Sequence, residues 1–166
     1  MTNVLLPTDF TADSITAVNG AVKAIPGKLN IFLFHAFDMP DSIIDAMHRV
    51  GKRGHSDLIT EALRLKCKQV KTANPNISNI SFRVMYGTTT VAFKNFIEAN
   101  KIDAIYVPHG HKFVPVVRES VNYERMFKKS GVPIVNELTA KNLVVDPTTY
   151  LNAVSQPLPM YRIINN

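Results

Sequence analysis

Asn3-Val4-Leu5-Leu6-Pro7-Thr8-Asp9-Phe10 opens the chain with three consecutive aliphatic residues closed by proline and two small polar residues. Such a run reads as a short strand buried on both faces and followed by a loop. A strand with no wet face needs cover above and below, which is the situation of an interior strand in a parallel sheet. The next residues supply that cover. Ile15, Val18, Val22 and Ile25 recur at spacings of three and four, with Thr11 placed to cap the helix and Pro26-Gly27 to stop it.

The same alternation continues outward. Residues 29–36 are almost continuously apolar and predict a second interior strand. Helical spacing returns over 41–73 through Ile44, Met47, Ile59, Ala62, Leu63 and Val70, interrupted by Gly51 and Gly54 and ended by Asn74-Pro75. Over 80–84, Ile80, Phe82 and Val84 alternate with Ser81 and Arg83, the pattern of a strand with one wetter face at a sheet edge. Thr88 to Thr90 precede a helix whose buried stripe is Ala92, Phe93, Phe96 and Ile97, with Asn100 as its left-handed terminator. A strand over 102–107, a loop, a helix over 117–129 and a short strand over 132–135 complete a β-α-β-α-β-α-β-α-β order. Strict alternation implies an α/β fold: a parallel sheet with right-handed crossovers and helices on both faces.

Residues 137–166 form a C-terminal extension to a domain spanning 1–136. Asp146-Pro147 suits the start of a short helix, and Pro157 and Pro159 favour an extended path beyond it. Leu143, Val144, Tyr150, Leu151, Val154, Tyr161, Ile163 and Ile164 are too apolar for a free tail, so the extension is expected to pack on the domain or on a dimer partner.

With 166 residues, 46% of them hydrophobic, the chain can fill one proper core without a disulfide or metal staple. Lys and Arg number 19 against 13 Asp and Glu, a formal charge of +6. The excess is spread out, and its densest stretch, Arg64, Lys66, Lys68 and Lys71, is interleaved with Leu65, Cys67 and Val70 as on the wet face of a helix. Nucleic-acid binding is therefore not expected. Cys67 is the single cysteine, which excludes an intramolecular disulfide and a cysteine zinc cluster. No membrane span and no secretory leader is apparent, so a cytoplasmic location is expected.

The chain resembles the universal stress protein family over about residues 2–136. The opening octapeptide looks like that family's first strand and acidic turn, and Leu33-Phe34-His35-Ala36 like the end of its second strand. His109-Gly110, Glu124-Arg125 and Val132-Pro133-Ile134-Val135 fall at the spacing of its last loop, helix and strand. The resemblance implies a five-stranded parallel sheet of order 3-2-1-4-5, a nucleotide crevice between the first and fourth strands, and a homodimer formed through the last strand. An unprotected apolar edge at Val132, Ile134 and Val135 points to the same dimer.

In the family's nucleotide-binding branch, the loop after the fourth strand carries three glycines and a hydroxyl residue, which let backbone amides approach phosphates. This chain has Val107, Gly110, Ser120 and Val121 at those four positions. A single glycine remains, so triphosphate binding does not follow from the resemblance. The pocket residues that transfer are Pro7, Thr8 and Asp9 from the first turn, Ala36 from the second strand, Gly87 after the third, and Gly110 and Ser120. Two readings stand for Asp9: acceptor for a ligand hydroxyl, or a cap that helps Thr11 start the helix. Gly87 also reads as a simple turn residue.

His109-Gly110-His111-Lys112 superficially resembles the His-Gly-His signature of nucleotidylyl transferases but follows the fourth strand instead of the first. His109 and His111 with His35 could supply metal ligands, against which stand locally hydrogen-bonded histidines. His109, His111, Lys112 and Arg118 could form a basic anion site replacing the lost glycines, against which stands a solvated loop. No catalytic constellation and no metal site is assigned. The expectation is a non-enzymatic regulatory or binding protein of the stress response with an unidentified protein partner and no resident cofactor. The competing reading is an ATP- or AMP-binding protein, or slow ATPase, that uses the basic loop.

Overall fold

The computed structural model describes residues 1–39 and 57–139. The part of the helical pattern before residue 57, and the extension from residue 140, lie outside the described residues. The elements are β1 (Thr2–Pro7), α1 (Ala12–Thr16), α2 (Val18–Ala24), β2 (Leu29–Phe37), α3 (Glu61–Ala73), β3 (Ile77–Tyr86), α4 (Thr90–Ala99), β4 (Ala104–Tyr106), α5 (Glu124–Lys128) and β5 (Ile134–Val135). They build a five-stranded sheet of order β3-β2-β1-β4-β5, parallel at every pairing. The wetter third strand lies at one edge, as its alternation predicts.

β1 is the centre. It pairs with β2 in the register Val4↔Ile31, Leu5↔Phe32, Leu6↔Leu33, and with β4 through Val4↔Ala104 and Leu5↔Ile105. Because successive side chains point to opposite faces, one core gathers Val4, Leu6, Ile31, Leu33 and Tyr106 under α1, α2 and α3, where Ile15, Val18, Ala21, Leu63, Cys67 and Val70 meet them. The other gathers Leu5, Phe32, Phe34 and Ile105 against Phe93, Ile97, Met126 and Phe127 of α4 and α5. Arg64, Lys68 and Lys71 of α3 are exposed, as the reading of a wet helix face requires.

Helix ends follow local chemistry. Thr11, Thr60 and Thr89 each accept a backbone N–H three residues on, from Ser14, Leu63 and Ala92. The first helix divides at Ala17, because the Thr16 hydroxyl donates to the Asp13 carbonyl at 2.6 Å and competes for the acceptor that the Ala17 N–H would use. α4 ends one residue later than its sequence suggests. Asn100 caps it with φ −95°, and the left-handed residue is Lys101, φ +51°. Bonds from Ile102 N to the Ile97 carbonyl (3.0 Å) and from Lys101 N to the Glu98 carbonyl (3.1 Å) form a Schellman closure that seats Ile102 on Ile97.

The expected helix over 117–129 is corrected: only Glu124–Lys128 is helical. Backbone groups before it are engaged with β2 instead, with Asp38 N donating to Glu119 O at 2.8 Å and Val121 N to Ala36 O at 2.9 Å. Ser120 forms an antiparallel bridge with Phe37. A hydrogen-bonded strand extension and a helix cannot use the same amides.

Tyr106 is fully buried below α2, and a Cβ built on Gly20 would stand 2.1 Å from its hydroxyl oxygen. Gly20→Ala is expected to destabilise the chain by up to about 2 kcal/mol, because an approach this close puts the overpacking cost toward the upper end of roughly 1–3 kcal/mol, above a helix-propensity gain of about 1 kcal/mol. The midpoint of urea unfolding checks this, and an unchanged or raised midpoint would contradict the packing.

Candidate functional site

In an open parallel sheet, the crevice for ligands lies beyond the carboxyl ends of the strands where strand order reverses, here between β1 and β4. Pro7 closes β1 and is buried. Thr8 is 1% exposed, its N–H donates to the Phe34 carbonyl at 2.9 Å, and its hydroxyl bonds Ser14 Oγ at 2.8 Å and accepts Phe10 N–H at 3.0 Å. Asp9 takes the capping role: one carboxylate oxygen accepts both the Thr11 N–H (3.1 Å) and the Thr11 hydroxyl (2.6 Å). Burial pushes the Asp9 carboxyl up, but the hydrogen bonds from Thr11 and Ser14 outweigh it and hold its pKa below the ordinary value.

His35 ties the crevice together. At 1% exposure, it places Nδ1 2.6 Å from the Thr8 carbonyl oxygen and Nε2 3.0 Å from Ser120 Oγ. A carbonyl can only accept, so Nδ1 carries the proton and Nε2 accepts from the Ser120 hydroxyl. Ser120 Oγ in turn accepts the N–H groups of Val116 (3.0 Å) and Val117 (3.1 Å). The Ser120 hydroxyl thus fastens the β4–α5 loop to β1 and β2. A candidate pocket residue has become a structural hub.

Aromatic rings fill the space around it. Phe10, Phe37, Phe113 and Tyr123 lie 4.8 to 6.3 Å from the His35 ring centre, Phe113 meets Tyr123 edge-on at 5.2 Å, and the His111 ring stacks on Tyr123. The His111 Nε2 is 3.0 Å from the Tyr123 hydroxyl. Burial, with smaller contributions from Asp9 and Glu124, raises the Tyr123 phenol, so it stays protonated. Burial also lowers the His111 pKa against the opposing pull of Asp9 and Glu124.

Other sequence candidates separate. The Ala36 carbonyl is taken by Val121 N–H. Gly87 is a turn residue, φ +133° with its N–H on the Phe37 carbonyl at 2.8 Å. Gly110, φ +75°, sits in a turn closed by His111 N to Pro108 O at 3.0 Å; the space around its missing side chain is open, so the turn, not a close approach, requires glycine there. Lys112 and Arg118 are exposed while His111 turns inward. Among the described residues no three His, Cys, Asp or Glu side chains are grouped to hold a metal ion.

Glu137 was not foreseen. One carboxylate oxygen accepts the Tyr106 hydroxyl and the other the His109 N–H at 2.9 Å. An isolated glycine in the helical pattern, Gly20, was the available signal of close packing here; a partner 31 residues beyond Tyr106 leaves none. An open groove of about 410 Å³ at α5 is bordered by Asn122, Glu124, Arg125, Lys128 and Lys129.

The chain has the universal stress protein fold. Universal stress protein UspA from Lactobacillus plantarum superposes with a TM-score of 0.51 at 15% identity, covering 81% of this chain and 96% of that one. The hypothetical protein PH0823 superposes with a TM-score of 0.50 at 20% identity, covering 81% and 94%. A universal stress protein in complex with cAMP gives 0.43 at 18% identity, covering 81% and 95%. No family model and no curated protein matches the sequence. Among the described residues no helix is long and apolar enough to cross a membrane.

The Tyr106 hydrogen bond, ahead of the opposing effect of burial and aided by the His109 N–H, lowers the Glu137 pKa. A carboxyl with a depressed folded-state pKa stabilises the fold above its unfolded pKa, and that stability is lost as pH falls through the folded value. Unfolding midpoints measured down through the carboxylate range should therefore fall less steeply for Glu137→Gln than for the parent chain. Parallel slopes would count against the bond.

Proposed function

We propose that the chain is a universal stress protein-like, non-enzymatic regulatory or binding protein whose nucleotide crevice has been given over to internal packing. The observation that carries this reading is the occupation of the β1/β4 crevice by the chain's own groups. Ser120 bonds inward to His35, Phe113 packs edge-on against Tyr123 and beside His35, and His111 stacks on Tyr123. Val107, which replaces the first loop glycine, packs on the second core and adds a branched side chain where phosphate would need bare backbone. Its cytoplasmic, cofactor-free action on a protein partner belongs to the same reading.

Ile134 in β5 is 39% and Leu138 just beyond it 51% exposed, and this apolar exposure, which a second copy docked on β5 would cover, supports a homodimer through that strand. Light scattering is expected to give twice the chain mass at micromolar concentration; a monomer there would argue against it.

Calorimetric titration with ATP and AMP tests the pocket. Each lost charge-assisted phosphate bond removes about 1.5–3 kcal/mol, on the order of tenfold or more in affinity. Both nucleotides should bind weakly and hardly differ, because the phosphates find no cradle. Tight ATP binding that AMP does not match would overturn the reading in favour of the basic-loop alternative.

A further inference from the structure

Two donors converge on Glu137 from the end of β4 and from the turn that leaves it. Tyr106 is 0% exposed, fixed in β4 and given room by the missing side chain at Gly20. The His109 N–H belongs to the turn that leaves β4. The phenol serves one carboxylate oxygen and the amide serves the other, so the pair reads the two-oxygen edge of a carboxylate. The occupant, by contrast, is exposed. A preorganised pair of donors and a solvent-reachable acid make a receptor with a tethered guest, not a core ion pair.

We propose that Tyr106 Oη and the His109 N–H form a carboxylate-binding clamp, that Glu137 is its resident intramolecular occupant, and that the carboxylate of a small organic acid is its external ligand. The clamp is independent of the nucleotide reading. A tether holds Glu137 at an effective concentration in the millimolar range or above. A lone carboxylate at lower concentration is therefore excluded, and only an acid that gains further contacts displaces Glu137. Displacement transfers no proton, since one carboxylate replaces another on the same donors. It would free the chain at residue 137 from the β4 turn, so the clamp couples ligand binding to the start of the C-terminal extension.

The test uses the full chain carrying Glu137→Ala. Its thermal midpoint should fall below that of the parent, and sodium acetate should recover most of the loss saturably, with half-recovery in the millimolar range. Sodium chloride at equal ionic strength should not. The same acetate series should leave the parent unchanged, and adding Tyr106→Phe to Glu137→Ala should abolish the recovery. Absence of recovery, or equal effects of acetate and chloride, overturns the proposal. Should Glu137→Ala not fold, Glu137→Gln keeps the shape of the side chain, and the His109 amide resonance becomes the readout: a saturable shift with acetate supports the clamp, and a resonance that acetate does not move refutes it. ATP affinity enters none of these measurements, so the clamp and the crevice reading stand or fall separately.

Discussion

Val4, Leu5 and Leu6 are all 0% exposed because β1 is hydrogen-bonded along both edges and packed on both faces, and this double enclosure sets where the other elements go. Burying each such side chain contributes about 1.5–3 kcal/mol, which is available only if helices stand above and below. Val4 and Leu6 require α1 to α3; Leu5 requires α4 and α5. A parallel neighbour on each edge needs a long crossover, and right-handed crossovers on opposite faces reverse the strand order at β1. The crevice beside β1 is a consequence of burying its three aliphatics.

That chain of causes is legible in the sequence because it rests on periodicity. Apolar runs gave β1, β2 and β4, alternation gave the edge position of β3, and threonines marked the caps. What could not be read there depends on partners distant in sequence. Valines 116, 117 and 121 suit a helical pattern as well as an extended one. The choice is made by Ser120, whose hydroxyl bonds His35 85 residues away, and by amides that pair with Ala36 and Asp38. Position 120 is legible as a missing glycine; its role as a hub is not. For Asp9 the two sequence readings separate only when Thr11 is seen bonding the carboxylate through both its amide and its hydroxyl.

The same economy recurs around the crevice. Thr8 is satisfied by Ser14 and Phe10, Asp9 by Thr11, His35 by Thr8 and Ser120, and His111 by Tyr123. Polar groups in a partly dry crevice cost about 1–3 kcal/mol each if left unpaired. In this crevice they are paired internally and packed among rings, which is the observation the proposed reading rests on.

On the proposed reading two effects would oppose phosphate at the β4 loop, and their sizes can be compared. Glu137 adds a negative charge beside the His109 amide. At about 4 Å, two unit charges repel by roughly 1 kcal/mol in water and 4 kcal/mol at an effective dielectric near 20. Glu137 is exposed, so solvent screening holds the effect near the lower figure. Opening the loop would break the three bonds at Ser120 Oγ, at about 0.5–1.5 kcal/mol net each. It would also separate the Phe113, Tyr123 and His35 rings, for about 0.5–1.5 kcal/mol per aromatic pair beyond the area they bury. Packing and the serine hub therefore outweigh charge. A glycine at Val107 alone would clear one side chain and leave the three bonds at Ser120 Oγ in place.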